Sequence, residues 1–340
     1  MSRAKRKIEH IHHALEHDRD YYNHFDDIDI VHQSLAKLNF DELSLSVEAG
    51  ELKLSSPLFI NAMTGGGGER TEQINGEIAL AASETGIGMA VGSQMSALKD
   101  PAERNSYEIV RKNNPDGIIF ANVGSEASVS QANEAIEMIE ADGLQIHVNT
   151  LQELIMPEGD RNFKTRMENI QRIVEGVSQP VIVKEVGFGM SKESVECLWN
   201  LGVRYVDIGG RGGTNFSKVE NLRREKPFSS FENWGIPTPI SVLEAKSIHK
   251  DLHIIASGGI RHGVDGVKAM VLGGEAFGMA GTLLRVLLQD GRQALISEVE
   301  HILHEVKMAL MLMNARSTKE LHRQPYVLSG KTREWQEQRM

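Results

Sequence analysis

The 340-residue sequence predicts an α/β fold, a (β/α)8 TIM barrel with an N-terminal extension and a long loop after the sixth barrel strand. Three observations lead there. Short apolar runs ending in Gly, Ser, Thr or Asn recur eight times with helical patterns between them, which implies βαβ units and a parallel sheet. The runs are nearly continuous in apolar residues, as strands covered on both faces require. No stretch rich in Pro, Gly and Ser splits the chain. An open doubly wound sheet is the other way to use the same units.

In chain order, residues 1–57 come first, expected as an extension of the same domain that serves as a substrate clamp or lid, with the barrel over 58–340. They start helix-like, and DELSLSVEAGELKLSSP then reads as a hairpin turning at Gly50. The first run is LFINAM (58–63), followed by the Ala-rich helix GEIALAASETG (76–86), which stops at Gly86. GMAVGS (88–93) and IIFANVG (118–124) are the second and third. The segment 127–143 places Ala132, Ala135, Ile136 and Ile139 at helical spacing, with Gly143 as its stop. LQIHVN (144–149) and VIVKEVG (181–187) follow, then a helix opened by Ser191 and closed by Gly202. YVDIGG (205–210) is the sixth run, and the long stretch 215–239 after it reads as a lid or insertion. HIIASGG (253–259), AFGMAG (276–281) and a last long helix over 294–313 complete the set.

Composition bounds the function. Lys plus Arg is 37 against 47 for Asp plus Glu, and a net charge of −10 argues against a general polyanion binder. The single cysteine, Cys197, excludes an internal disulfide framework and a Cys-based metal cluster, and its mid-helix position reads as a core thiol. The basic N-terminus lacks an apolar signal core and no run is long enough to span a membrane, so a cytoplasmic protein without membrane or nucleic-acid partners is expected.

In such a barrel, chemistry belongs at the C-terminal strand ends. These carry Ala62, Met63 and Thr64, then Ser93, Asn122, and His147 with Asn149, Gln152 and Glu153. Further along stand Lys184, Asp207, Thr214, Gly258 and Gly259 with Arg261, and Ala280 with Gly281. Glycine pairs after the seventh and eighth strands either make tight turns or offer backbone N–H groups to a phosphate, and Arg261 beside one pair favours the phosphate. Lys184, in a strand that should be buried, needs either a carboxylate partner, such as Glu185, or an anionic ring or substrate to face. Thr64, Ser93, Asn122 and Thr214 suit hydrogen bonds to a flat polar ring. Glu153 fits a Mg²⁺ site completed by substrate phosphates, and fits a solvated acidic loop equally well. Arg6, Lys7 and His10 share one face of a helical turn, as a diphosphate clamp or a solvated basic tail would. SGKT (329–332) lacks the first glycine of a P-loop, and neither HExxH nor GxSxG occurs.

These segments resemble the type 2, FMN-dependent isopentenyl-diphosphate isomerases. RKIEHI (6–11), NAMTGG (61–66), VGSQ (91–94), ANVG (121–124), HVNTLQE (147–153), VIVKEVGFGMS (181–191), DIGGRGGTNF (207–216), SGGIR (257–261) and GMAG (278–281) run in order over nearly the whole chain. The resemblance implies an isomerase of isoprenoid biosynthesis that interconverts isopentenyl diphosphate and dimethylallyl diphosphate by a 1,3-allylic double-bond shift. It implies FMN, reduced by NADPH or NADH and acting as acid/base without net redox change, and a homotetramer or homo-octamer. Met63, Thr64, Ser93, Asn122, Lys184, Thr214, Gly258, Gly259, Ala280 and Gly281 would hold FMN, with Ala62 and Arg261 beside them. Arg6, Lys7, His10, Ser93, His147, Asn149 and Gln152 would hold substrate and Glu153 its Mg²⁺; Gln152 and Lys184 would share in catalysis, Gln152 in proton shuttling. Met95 stands where many relatives carry Arg, so no charged contact to substrate is expected there. An α-hydroxy-acid oxidase on the same barrel would have no need of HVNTLQE or the N-terminal RKxxH. An inosine-monophosphate-dehydrogenase-like enzyme would need a loop cysteine, and Cys197 is misplaced for it. A flavin-binding sensor without turnover would not need the full set of strand-tip groups.

Overall fold

The computed structural model describes residues 22–62, 64–65 and 68–340. Arg6, Lys7, His10 and Met63 lie outside the described residues. Eight parallel strands close into a barrel: β4 (Leu58–Ile60), β5 (Gly88–Ala90), β6 (Ile119–Gly124), β7 (Gly143–Val148), β8 (Val181–Glu185), β9 (Tyr205–Asp207), β10 (His253–Ser257) and β11 (Ala276–Met279). Each of the eight apolar runs forms one of them. β4, β5, β6, β8, β9 and β11 are buried at every residue, because helices cover the outside while side chains fill the inside. The ring shuts where β11 pairs with β4, Phe277 opposite Leu58 and Met279 opposite Ile60.

The helices are α1 (Glu69–Thr85), α2 (Asn105–Asn113), α3 (Val129–Met138), α4 (Thr150–Ile155), α5 (Arg166–Gly176), α6 (Lys192–Asn200), α7 (Phe216–Asn221), α8 (Thr238–Lys246), α9 (Gly263–Leu272), α10 (Gly281–Asp290), α11 (Arg292–Leu312) and α12 (Gly330–Arg339). Two boundaries differ from the sequence expectation. α1 begins at Glu69, before the Ala-rich stretch. α3 stops at Met138: Ile139 is fully buried, Glu140 takes a left-handed turn (φ 47°), and Gly143 opens β7 instead of ending the helix. The stretch 215–239 is not an open loop. It holds α7 and a 3-10 turn at Ser229–Phe231, fastened by Asn215 Nδ2 to the Glu232 carbonyl (2.7 Å) and Asn221 Nδ2 to Glu232 Oε1 (3.1 Å).

The extension has two parts at opposite ends of the barrel. The hairpin of β2 (Val47–Ala49) and β3 (Leu52–Leu54) turns at Gly50, where φ is 56°. It lies against Tyr205 and His253, the first residues of β9 and β10, with Glu51 N–H donating to Tyr205 Oη (2.8 Å). This is the N-terminal mouth, so the hairpin plugs the barrel floor and does not act over the site end. Upstream, β1 (Ile28–Ile30) pairs antiparallel with β12 (Tyr326–Leu328). The 3-10 turn His24–Asp27 before β1 sits at the other mouth, with Asn23 Nδ2 donating to the Gly259 carbonyl (2.8 Å). Asp27 is buried and accepts from Thr332 N–H (3.0 Å), the Thr332 hydroxyl (2.6 Å) and the Tyr22 hydroxyl. α12 is fixed in turn by Arg339 to Glu193 (2.8 Å) and to buried Glu244 (2.9 Å). Among the described residues no helix is long and apolar enough to cross a membrane.

Candidate active site

A cavity of about 650 Å³ opens at the C-terminal ends of the strands, within the range usual for small-molecule sites. Its floor is polar and almost wholly buried. Lys184 reaches up from β8, its Nζ 3.1 Å from Asp207 Oδ2, 3.2 Å from Ser257 Oγ and 3.0 Å from the Glu185 carbonyl. The alternatives at Lys184 therefore merge: it has a barrel carboxylate partner, Asp207 and not Glu185, and it lines the cavity. Glu185 turns away, accepting N–H groups of Gly187 (2.7 Å), Phe188 (2.5 Å) and Gly189 (3.1 Å). Burial pushes its carboxyl up to about 8, against the pull of those donors.

One wall is backbone. Gly258 and Gly259 have φ of 97° and 75°, and a Cβ on Gly258 would stand 2.1 Å from the Gly210 carbonyl oxygen. The loops after β9 and β10 are thus pressed together so closely that only glycine serves. Beside them α10 begins at Gly281 with no side-chain cap, and Ala280, Gly281 and Thr282 at this end line the cavity. Ala62, Ser93, Asn122 and Thr214 line the space between this wall and the floor.

The opposite wall is the end of β7 and the short helix α4. His147, Asn149, Gln152 and Glu153 all face the cavity. Asn149 Nδ2 donates to Glu153 Oε1 (2.9 Å) and Asp160 N–H to Glu153 Oε2 (2.8 Å), so the carboxylate is oriented with lone pairs to spare. Gln152 Nε2 donates to Glu220 Oε1 (3.0 Å), a fully buried carboxylate on α7 that is also held by Arg223 (2.6 Å). No group of three His, Cys, Asp or Glu suited to a metal exists among the described residues.

Some predicted residues take other roles. The Thr64 hydroxyl bonds to Asn75 on α1 and leaves the cavity wall. Arg261 lines the cavity, but its guanidinium is engaged by Asp265 (2.7 Å) and Asp26 (2.5 Å), which hold its pKa far above the usual arginine range. Its charge is thus neutralised on the spot, and it braces the turn before α9. Met95 is buried in the core. Asn23, Asp26, Thr282, Arg285 and Glu220 were not singled out by sequence yet stand at or behind the site. Arg285 alone carried a signal, lying one helical turn after Gly281 on the same face.

A family model described as FMN-dependent dehydrogenase matches residues 100–328. The chain is 53% identical to the isopentenyl-diphosphate delta-isomerase of Bacillus licheniformis, covering 98% of this chain and 96% of the relative. It is 52% identical to that of Geobacillus sp. strain WCH70 with the same shares. A solved flavocytochrome b2 variant with sulfite bound superposes with a TM-score of 0.69 over 95% of this chain and 83% of that one, at 16% identity, which speaks for the shared fold alone.

Proposed function

The chain belongs to the FMN-dependent, type 2 isopentenyl-diphosphate delta-isomerase family, and from that premise we propose how its cavity interconverts isopentenyl diphosphate and dimethylallyl diphosphate with FMN. The observation that supports the reading is one cavity with glycine backbone and the start of α10 on one side, His147, Asn149, Gln152 and Glu153 on the other, and Lys184 between them.

The residues present fit FMN. The glycines after β10, pressed against the backbone of Gly210 and Gly212, leave bare main chain at the cavity wall, which with the start of α10 would suit a phosphate monoester. Lys184 would offer a fixed cation to its ring system, and Ser93, Asn122 and Thr214 would offer hydrogen bonds to its polar groups. The bound cofactor, once reduced, supplies the acid/base chemistry at carbon that ordinary side chains perform poorly. Everything else falls to the protein. Its hydrocarbon tail gives the substrate no polar handle, so the diphosphate must orient it. His147 and Asn149 would receive the diphosphate, joined by Arg6, Lys7 and His10 of the extension. Glu153 would add one carboxylate to a Mg²⁺ otherwise held by phosphate oxygens and water, the donor set that this ion favours. Gln152, aimed by Glu220, would stand by the reacting carbons as a proton-relaying amide. NADPH is proposed as the reductant, and a cytoplasmic homotetramer or homo-octamer as the assembly, both on the family resemblance.

The test is anaerobic turnover of isopentenyl diphosphate with FMN, Mg²⁺ and a small, known amount of NADPH. Many dimethylallyl diphosphates per NADPH are expected, because the flavin is reduced once and reused. Product limited to the NADPH supplied would point instead to a flavin oxidoreductase with another substrate.

A further inference from the structure

We propose that Met156 and Val219 form the wall that limits the hydrocarbon end of the substrate, and so set the chain length that the site accepts. On α4, side chains one turn apart fall into rows. Glu153 N–H donates to the Asn149 carbonyl (3.0 Å) and Met156 N–H to the Gln152 carbonyl (2.9 Å), so Asn149 and Glu153 share one row and Gln152 and Met156 the next. All four residues line the cavity. The first row is wholly polar, whereas the second passes from an amide to an apolar thioether.

α7 answers the second row. Phe216, Val219 and Glu220 stand at helical spacing on one face, and Phe216 and Val219 line the same cavity. Gln152 Nε2 donates to Glu220 Oε1 (3.0 Å), which joins the second row of α4 to this face. Two arginines fasten the seam between the helices, Arg224 Nη1 to the Ile155 carbonyl (2.5 Å) and Arg223 Nη2 to Glu158 Oε1 (2.5 Å). Met156 is 7% exposed and Val219 is 1% exposed. Both are therefore packed on the sides away from the cavity, and side chains held at interior density have no room to swing aside for an added group.

The consequence rests on the placement of the diphosphate and of Gln152 given above. With the diphosphate at Asn149 and Glu153 and the reacting carbons at Gln152, the hydrocarbon continues along the second row toward Met156 and Val219. There it is buried against apolar side chains and strips no polar group of its hydrogen bonds. A longer chain would have to push into a wall that cannot yield, so discrimination is by size. Met156 and Val219 are specificity residues in this scheme, since neither side chain can move a proton or hold a phosphate.

The measurement compares isopentenyl diphosphate with the homologue in which ethyl replaces its methyl group, on the FMN-loaded enzyme with Mg²⁺. One methylene in an apolar pocket is worth about 10–200-fold, so Met156→Ala and Val219→Ala should each shift the ratio of kcat/KM values toward the ethyl homologue by about 10-fold or more. FMN affinity by fluorescence titration and competitive inhibition by inorganic diphosphate should stay unchanged in both variants, because the two side chains serve neither the cofactor nor the diphosphate. A ratio that does not move in Met156→Ala would overturn the proposal, and this variant decides the matter where Val219→Ala does not fold. A fall in FMN affinity with the ratio unmoved would overturn it too, by giving the wall to the cofactor. A wild type that turns over neither compound would overturn the isomerase reading itself, whereas turnover of isopentenyl diphosphate with an unmoved ratio strikes only the tail placement.

Discussion

Lys184 and Asp207 meet because β8 and β9 pair with one directly opposite the other. Replacing Lys184 by Met leaves Asp207 buried without its cation and should cost about 3–5 kcal/mol in urea unfolding of the apoprotein. Thr64 and Arg261 mark a limit of the sequence, since both were picked correctly as strand-end groups and both are bonded elsewhere. Asn149 gains a role that sequence could not give it, that of aiming Glu153. Asn149→Ala should raise the Mg²⁺ concentration for half-maximal activity by about 10–100-fold, the usual effect of losing a group that orients a metal ligand. An unchanged Mg²⁺ dependence would place the metal elsewhere.

Strands were more legible than helices. A barrel strand is buried on both sides and so writes itself as an apolar run, whereas α3 continues its 3.6-residue pattern into Ile139 after the helix has ended, because Ile139 is buried as part of the link to β7. The order in 215–239 was illegible because Asn215 and Asn221 tie it down through side-chain bonds to the backbone and to Glu232, and such bonds leave no periodic trace. The glycine wall between the loops after β9 and β10 gives the prediction at this scale. Gly258→Ala puts a Cβ into the Gly210 carbonyl at positive φ and should cost on the order of 1–3 kcal/mol locally. FMN affinity measured by fluorescence titration should fall with it, while Gly86→Ala, whose Cβ meets nothing, should leave FMN affinity unchanged.

For the molecule as a whole, one buried histidine predicts an acid weakness. Burial lowers the pKa of His24, beside the Asp27–Thr332 contact. It takes a proton more readily when unfolded. Stability should therefore decline as pH falls below about 6.5, the unfolded value, and go on declining until the lower folded value is passed. Thermal melts across that window should show the slope, and His24→Gln should flatten it; a flat wild-type profile would refute the assignment. The pairing of β1 with β12 has one more consequence, for the ribosome. The barrel cannot shut until β11 has been made, and the turn that reaches Gly259 waits longer still, for Thr332 to meet Asp27. An early-synthesised segment thus stays unpaired through nearly the whole of translation, so the cofactor's mouth is the last part of the enzyme to be born.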